Sequence, residues 1–157
     1  MVHIEGLERV LQEHAFFAGM DDGYRDLVAG CAANEVFHAG TYVYREGDPA
    51  DKFYLIRHGQ VALEVYVPGK SPIIVETLKS DDLMGWSWLV PPFRASFDAR
   101  ALELSRLVSI DAACLRGKMD QDSSLGYELH KRFAPIVAAR LAAARRQLID
   151  LYGHPEE

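Results

Sequence analysis

The chain has 157 residues, 49% hydrophobic and 25% charged, which suits one domain with a packed core and excludes a disordered or fibrous class. A formal net charge of −6 provides no overall basic field, so a general affinity for phosphate backbones or anionic lipid is excluded and direct DNA binding is not expected. No window reaches the ~18 to 20 apolar residues of a membrane span, and the opening MVHIEGLERVLQEHAFF lacks the basic start and unbroken apolar run of a signal peptide. The expectation is no membrane association and a cytoplasmic location.

Ile4, Leu7, Val10 and Leu11 recur at helical spacing and predict a helix up to His14. After the break at Gly19, a second helix is predicted over Tyr24 to Ala32, behind the candidate caps Asp21 and Asp22. The pattern then changes to β-branched and aromatic runs, EVFHAGTYVYREGD, KFYLIRHGQVALEVYV and PIIVETL, punctuated by Gly40, Gly47, Gly59 and Gly69. SFDARALE and SRLVSID close this region. Seven or eight strands with no long helix between them must pair largely antiparallel. The expected fold is mainly β with flanking helices: an antiparallel jelly-roll, cupin-like double-stranded β-helix barrel over about 34–111. Beyond Asp111 the helical period returns in AACLRGKM and from about Ser124 to Tyr152, with Ser123 or Ser124 as N-cap and Gly153 as stop. These C-terminal helices occupy about 112–153 of a single 1–157 domain. Pro135 lacks a backbone donor and should bend or break the last helix near His130 to Arg132, either as a hinge or as the junction of two helices.

Cys31 and Cys114 lie far apart and belong to no CxxC or Cys/His cluster, so both are expected to be reduced, buried thiols. His3, His14, His38, His58, His130 and His154 form no HxH or HExxH set. What remains for a metal is a scattered combination of His38 and His58 with Glu46 or Glu64. No nucleophile triad, Walker loop or dinucleotide fingerprint is present, and an enzyme is not expected.

Short helices, a barrel of short strands and a long closing helix, in that order, together with LQEHAFFAGM and GTYVYREGDPADKFYLIRHGQVAL, resemble the cyclic-nucleotide-binding domain family of Crp/Fnr-like sensors. In the second stretch Gly47 and Gly59 sit where turns need positive φ, and Phe53, Leu55, Val61 and Leu63 are expected to alternate inward. The resemblance also gives DDLMGWSWLVPPFRASFDARA a meaning. In the family this place is a phosphate-binding cassette, in which a Gly-Glu pair opens a short helix and a later arginine pairs with the cyclic phosphate. Gly85 and Arg94 match its two ends, and Ser87 and Ser96 can add hydrogen bonds. Trp86 stands where the family has the glutamate that holds the ribose 2′-hydroxyl.

The candidate ligand residues are therefore Gly85, Trp86, Ser87, Trp88, Arg94, Ala95 and Ser96. Trp86 and Trp88 are open to three readings: core residues, walls that stack on a ligand, or a plug filling the ligand's volume. If GWSW is extended, the two rings take different environments. Arg94 either meets an anion or joins a cross-face cluster in which it pairs with Asp98, or Asp98 with Arg100.

In the closing helix Ala134, Val137, Leu141, Ala144, Leu148 and Leu151 follow a 3,4,3,4 spacing, a narrow apolar seam that resembles the family's dimer helix. A homodimer through Val137, Leu141, Ala144, Leu148 and Leu151 is expected, with Arg140, Arg145 and Arg146 off the seam, facing acidic groups of a neighbour. The alternative is that the seam packs on its own barrel. The sequence ends five residues after Tyr152, so no helix-turn-helix domain is expected. Together these readings imply a small-molecule-sensing module. It would bind a cyclic nucleotide (cAMP or cGMP) or another anionic small ligand in the barrel and signal through its last helix to a protein partner. The alternatives are a ligand-free dimeric interaction subunit with a degenerate pocket and a cupin-like metal-dependent enzyme.

Overall fold

The structure, a computed structural model, describes residues 2–152, with side chains from residue 6 onward. The side chain of Ile4, the first of the periodic apolar positions, and the predicted stop at Gly153 lie outside the described residues and side chains. Helix α1 (Val2–Glu13) brings Leu7 and Leu11, one turn apart, into the core. A 3-10 turn at Ala15–Phe17 follows, opened by His14, whose Nδ1 accepts from the Phe16 N–H at 3.1 Å. Helix α2 (Asp22–Ala29) uses one of its two candidate caps: Asp21 accepts from the Gly23 N–H at 2.9 Å.

Eight strands come next: β1 (Ala32–Phe37), β2 (Tyr42–Tyr44), β3 (Lys52–His58), β4 (Val61–Val65), β5 (Ile73–Leu78), β6 (Leu83–Met84), β7 (Asp98–Ala101) and β8 (Ser105–Asp111). They form two four-stranded sheets, β1-β8-β3-β6 and β2-β7-β4-β5, with every pairing antiparallel. The interior between them is filled from both sides, by Ile56, Met84 and Leu107 of one sheet and Val61, Leu63, Leu78 and Ala99 of the other. Gly47 and Gly59 take φ of +87° and +102°, as their turns require. A Cβ on Gly59 would also come within 2.7 Å of the Ser105 Cα, so the β3–β4 turn lies hard against the start of β8.

One expectation for β3 is corrected. Phe53 and Leu55 do point into a core, but Tyr54 and Ile56 are buried as well, because β3 has a packed layer on each face. Phe53 and Leu55 meet the helices, and Tyr54 and Ile56 meet the other sheet.

Helix α3 (Ala112–Gln121) is capped by Asp111, which accepts from the Cys114 N–H at 2.8 Å. Helix α4 (Ser123–Tyr152) runs unbroken through Pro135, so the proline does not mark a junction between two helices. Its opening donors are met by Asp122, which accepts from Ser124 N–H at 3.1 Å and Leu125 N–H at 3.2 Å; the cap is Asp122 rather than either serine. Thirty residues make a rod of about 45 Å. Its core face is Leu125, Leu129, Phe133, Arg140 and Ala143. Leu141, Leu148 and Leu151 of the predicted seam are exposed and do not pack on their own barrel.

The cysteines also require correction. Cys31 and Cys114 form a disulfide, with S–S 2.15 Å and Cα–Cα 5.8 Å, across 83 residues of sequence. The cause is strand pairing. Ala32 lies opposite Ile110, and the Asp111 N–H donates to the Cys31 carbonyl at 2.9 Å, which brings the start of β1 beside the start of α3.

Candidate functional site

The turn after β6 decides where the two indoles go. Gly85 has φ +93°, and a Cβ there would sit 3.3 Å from the Phe53 Cα, so the chain passes close over β3. Trp86–Leu89 then form a 3-10 turn rather than the extended piece considered above. Steps of about 120° per residue still separate residues two apart. Trp88 turns inward and is fully buried, stacked on Phe53 with centroids 5.0 Å apart and edge-on to Phe133 at 5.5 Å. It is a core residue and not part of the pocket. Trp86, only partly buried, forms part of a wall.

That wall belongs to a cavity of about 280 Å³ between the barrel and α4. Gly85, Trp86 and Ser87 line one side, and Ala95, Ser96 and Phe97 another. The third side is the segment Asp48–Lys52, and Val43, Tyr44, Tyr54 and Leu63 complete the lining from the barrel. Backbone hydrogen bonds hold two of these walls together: Gly47 N–H to Ala95 O at 2.8 Å, Ala95 N–H to Asp48 O at 2.9 Å and Ala50 N–H to Phe93 O at 2.8 Å. Ser87 Oγ and Ser96 Oγ approach to 3.5 Å across the cleft. The space beside Trp86 is open, so this indole does not plug it.

Five of the seven sequence-predicted residues thus come together, and Trp88 and Arg94 do not. Arg94 pairs through its backbone with Pro49, directly after Phe93 at φ +60°, and its side chain is exposed. Its Nη1 donates to the Gly47 carbonyl at 3.1 Å, away from the cavity. Neither alternative pairing forms. Asp98 is buried and accepts from Glu46 N–H at 2.7 Å, with Arg45 Nε at 3.3 Å. Arg100 makes a bidentate pair with the buried Glu64 at 2.9 and 2.8 Å. Among the described residues no group of three or more His, Cys, Asp or Glu is placed to hold a metal ion, so the scattered histidine set is not assembled.

Eleven lining residues were missed by sequence reasoning, and three of them, Tyr44, Tyr54 and Arg140, bear most on what the cavity can hold. Tyr44 and Tyr54 stack with centroids 6.3 Å apart at 27°. Burial raises the Tyr44 phenol well above its ordinary range, and burial with Glu35 and Asp51 nearby pushes Tyr54 up to about 12. Both hydroxyls stay neutral at physiological pH and can donate or accept. The third is Arg140, which was expected to face a neighbour. Instead it is buried on the inner face of α4, with Nη1 3.0 Å from Glu76 Oε2 and Nη2 donating to the Leu83 carbonyl. One signal was available: Arg140 lies seven residues after Phe133 and three before Ala143, on the core stripe of the helix.

Two facing antiparallel sheets with a concave, mostly apolar cavity and a few convergent polar groups form an architecture suited to holding a small ligand. The sequence profile described as cyclic nucleotide-binding domain matches residues 34–122, more than half of the chain, and the chain belongs to that family. It is 31% identical over 99 residues to cyclic nucleotide-gated ion channel 18 of Arabidopsis thaliana, a match covering 55% of this chain and 14% of the channel. It is 35% identical over 78 residues to a cAMP-dependent protein kinase regulatory subunit of Schizosaccharomyces pombe, covering 50% of this chain and 18% of that protein. The matched region is therefore less than a fifth of either relative. A crystal structure described as a putative cyclic nucleotide-binding protein from Geobacter metallireducens superimposes with a TM-score of 0.74 at 28% identity, over 90% of this chain and 99% of that one. No helix among the described residues is long and apolar enough to cross a membrane.

Proposed function

We propose that this domain is a cytoplasmic, non-enzymatic regulatory module that takes a cyclic nucleotide or another anionic small molecule into the cavity and passes the event through α4 to a protein partner. The observation that carries this reading is the cavity itself: the turn after Gly85 and the Ala95–Phe97 segment converge on it, and a residue of the long helix forms part of its wall. Family membership supports the ligand class. Trp86 alters the selectivity, because an indole N–H only donates and cannot accept from a ribose hydroxyl as a carboxylate does. The test is thermal unfolding of the full chain with cAMP, cGMP and other small phosphates. A ligand at a hundredfold excess over its dissociation constant stabilises by about 2.7 kcal/mol. The reading is overturned if none of them moves the transition at millimolar concentration.

The occupant of the exposed seam in this reading is a second copy of the chain. Leu141, Ala144 and Leu148 border an apolar groove together with Ala138 and Ala142, a surface small enough in relief for two helices to approach closely. Arg145 lies on the same groove and supplies a polar rim. Sedimentation velocity should show a dimer that Leu141→Glu with Leu148→Glu converts to monomer; a monomeric unmutated chain at high micromolar concentration would remove this part. The outward Arg94 favours a second reading, a ligand-free dimeric subunit with a degenerate pocket. An intact dimer with no ligand response would select it.

A further inference from the structure

We infer that Arg140, and not Arg94, recognises the negative charge of the ligand, and that Glu76 is the resting partner which Arg140 exchanges for it. This rests on reading the cavity as the ligand site. Arg140 is 7% exposed and lines two hollows: the 280 Å³ cavity, and a second of about 490 Å³ whose walls include Glu76, Leu83 and Pro135. A guanidinium has five N–H donors. One Nη1 bond goes to Glu76 and one Nη2 bond to the Leu83 carbonyl, which leaves three of the five donors uncommitted in a residue that lines the first cavity.

The charges around that cavity leave Arg140 as the cation for the task. Lys52 also lines it, but its side chain is 42% exposed against 9% for Arg140, so solvent screens the lysine charge far more. Asp48 and Asp51 are carboxylates and repel an anion. The Tyr44 phenol lines the same cavity and, being neutral, can donate to or accept from a ligand held there. A buried cation with donors to spare, facing a mostly apolar hollow, attracts an anion far more strongly than an exposed arginine in water does. Glu76 can give the cation up: it borders the second hollow and its side chain keeps 28% exposure, so water can take the place of the guanidinium.

The exchange has a mechanical reading. Arg140 sits five residues beyond Pro135, and its pair with Glu76 is a tie between α4 and β5. A ligand that takes over this guanidinium replaces a tie within the protein by a tie through the ligand. Ligand charge is thereby reported to the long helix directly, with no arginine in the cassette required.

The test compares cAMP with neutral adenosine, and cGMP with guanosine, by calorimetry and Trp86-sensitive fluorescence. The full chain is used unmutated and as Arg140→Gln, Glu76→Gln and Arg94→Ala, with unfolding of each unliganded protein recorded. Arg140→Gln should reduce the preference for nucleotide over nucleoside by about tenfold or more, because a hydrogen-bonded charge is lost from a buried site. Glu76→Gln should strengthen nucleotide binding by removing the competing carboxylate, and Arg94→Ala should leave the preference unchanged. A preference that survives Arg140→Gln and disappears in Arg94→Ala overturns the inference while leaving the ligand site in place. If Arg140→Gln fails to fold, nucleotide binding that is weaker or unchanged in Glu76→Gln overturns it equally. Binding of none of the four compounds by the unmutated chain or Glu76→Gln removes both the inference and the ligand reading.

Discussion

On one face of β3, Phe53 and Leu55 are sealed under helices by Trp88, Phe133, Leu125 and Leu129. On the other face of the same strand, Tyr54 stands at the edge of a hollow it shares with Tyr44 and Trp86. The same strand therefore borders a filled layer and a layer with space left in it. The aromatic residues divide accordingly: Phe53, Phe133 and Trp88 interlock at centroid distances of 5.0 to 5.5 Å, whereas the cavity side carries rings with hydroxyls or partial exposure. The helix side of β3 is filled by interlocked rings, and the cavity lies on its barrel side.

Three substitutions or treatments, measured by chemical denaturation, probe this division. The largest expected effect is Trp88→Ala, which empties a fully buried site stacked on Phe53 and should cost about 3–5 kcal/mol. Next is loss of the Cys31–Cys114 bond, by reduction or by paired serine substitutions. It closes an 83-residue loop on the helix side, and its removal should cost about 2–4 kcal/mol. In a reducing compartment the domain would work without that contribution. Smallest is Trp86→Ala, at most about 1 kcal/mol for a partly exposed wall, accompanied by a change in ligand affinity that Trp88→Ala should not reproduce in a protein that still folds. Equal costs at the two tryptophans would abolish the contrast.

The barrel was legible because its strands are short, β-branched and bounded by glycines that need positive φ, as Gly47 and Gly59 do. The convergence of Gly85, Trp86, Ser87, Ala95 and Ser96 on one cavity was legible because the cassette spans a short stretch of sequence that the family resemblance locates. What escaped depends on contacts between distant segments. The Cys31–Cys114 bond needs the β1–β8 pairing to be known first. Arg94 was expected inside because it matches the family's arginine, yet its backbone pairing with Pro49 and the carbonyl of Gly47 hold it outside. Arg140 was read as facing a neighbouring chain, although its position on the stripe of Phe133 and Ala143 already placed it inward. Tyr44 and Tyr54 carried no local mark of a pocket, since alternating aromatics in a strand describe a core equally well.

The close contact at Gly59 has a consequence for how the barrel finds its alignment. A strand that is apolar on both sides, as β3 is, gains little from its own pattern in choosing between neighbouring alignments, since a slip by one residue exchanges one greasy face for another. The choice must be made where the strand ends. With no side chain at residue 59 the turn can seat against Ser105, which anchors the end of β3 on β8 at His58 opposite Arg106, and a shift in register then separates this anchor from the regular pairing of Lys52 to Ile56 with Asp111 to Leu107.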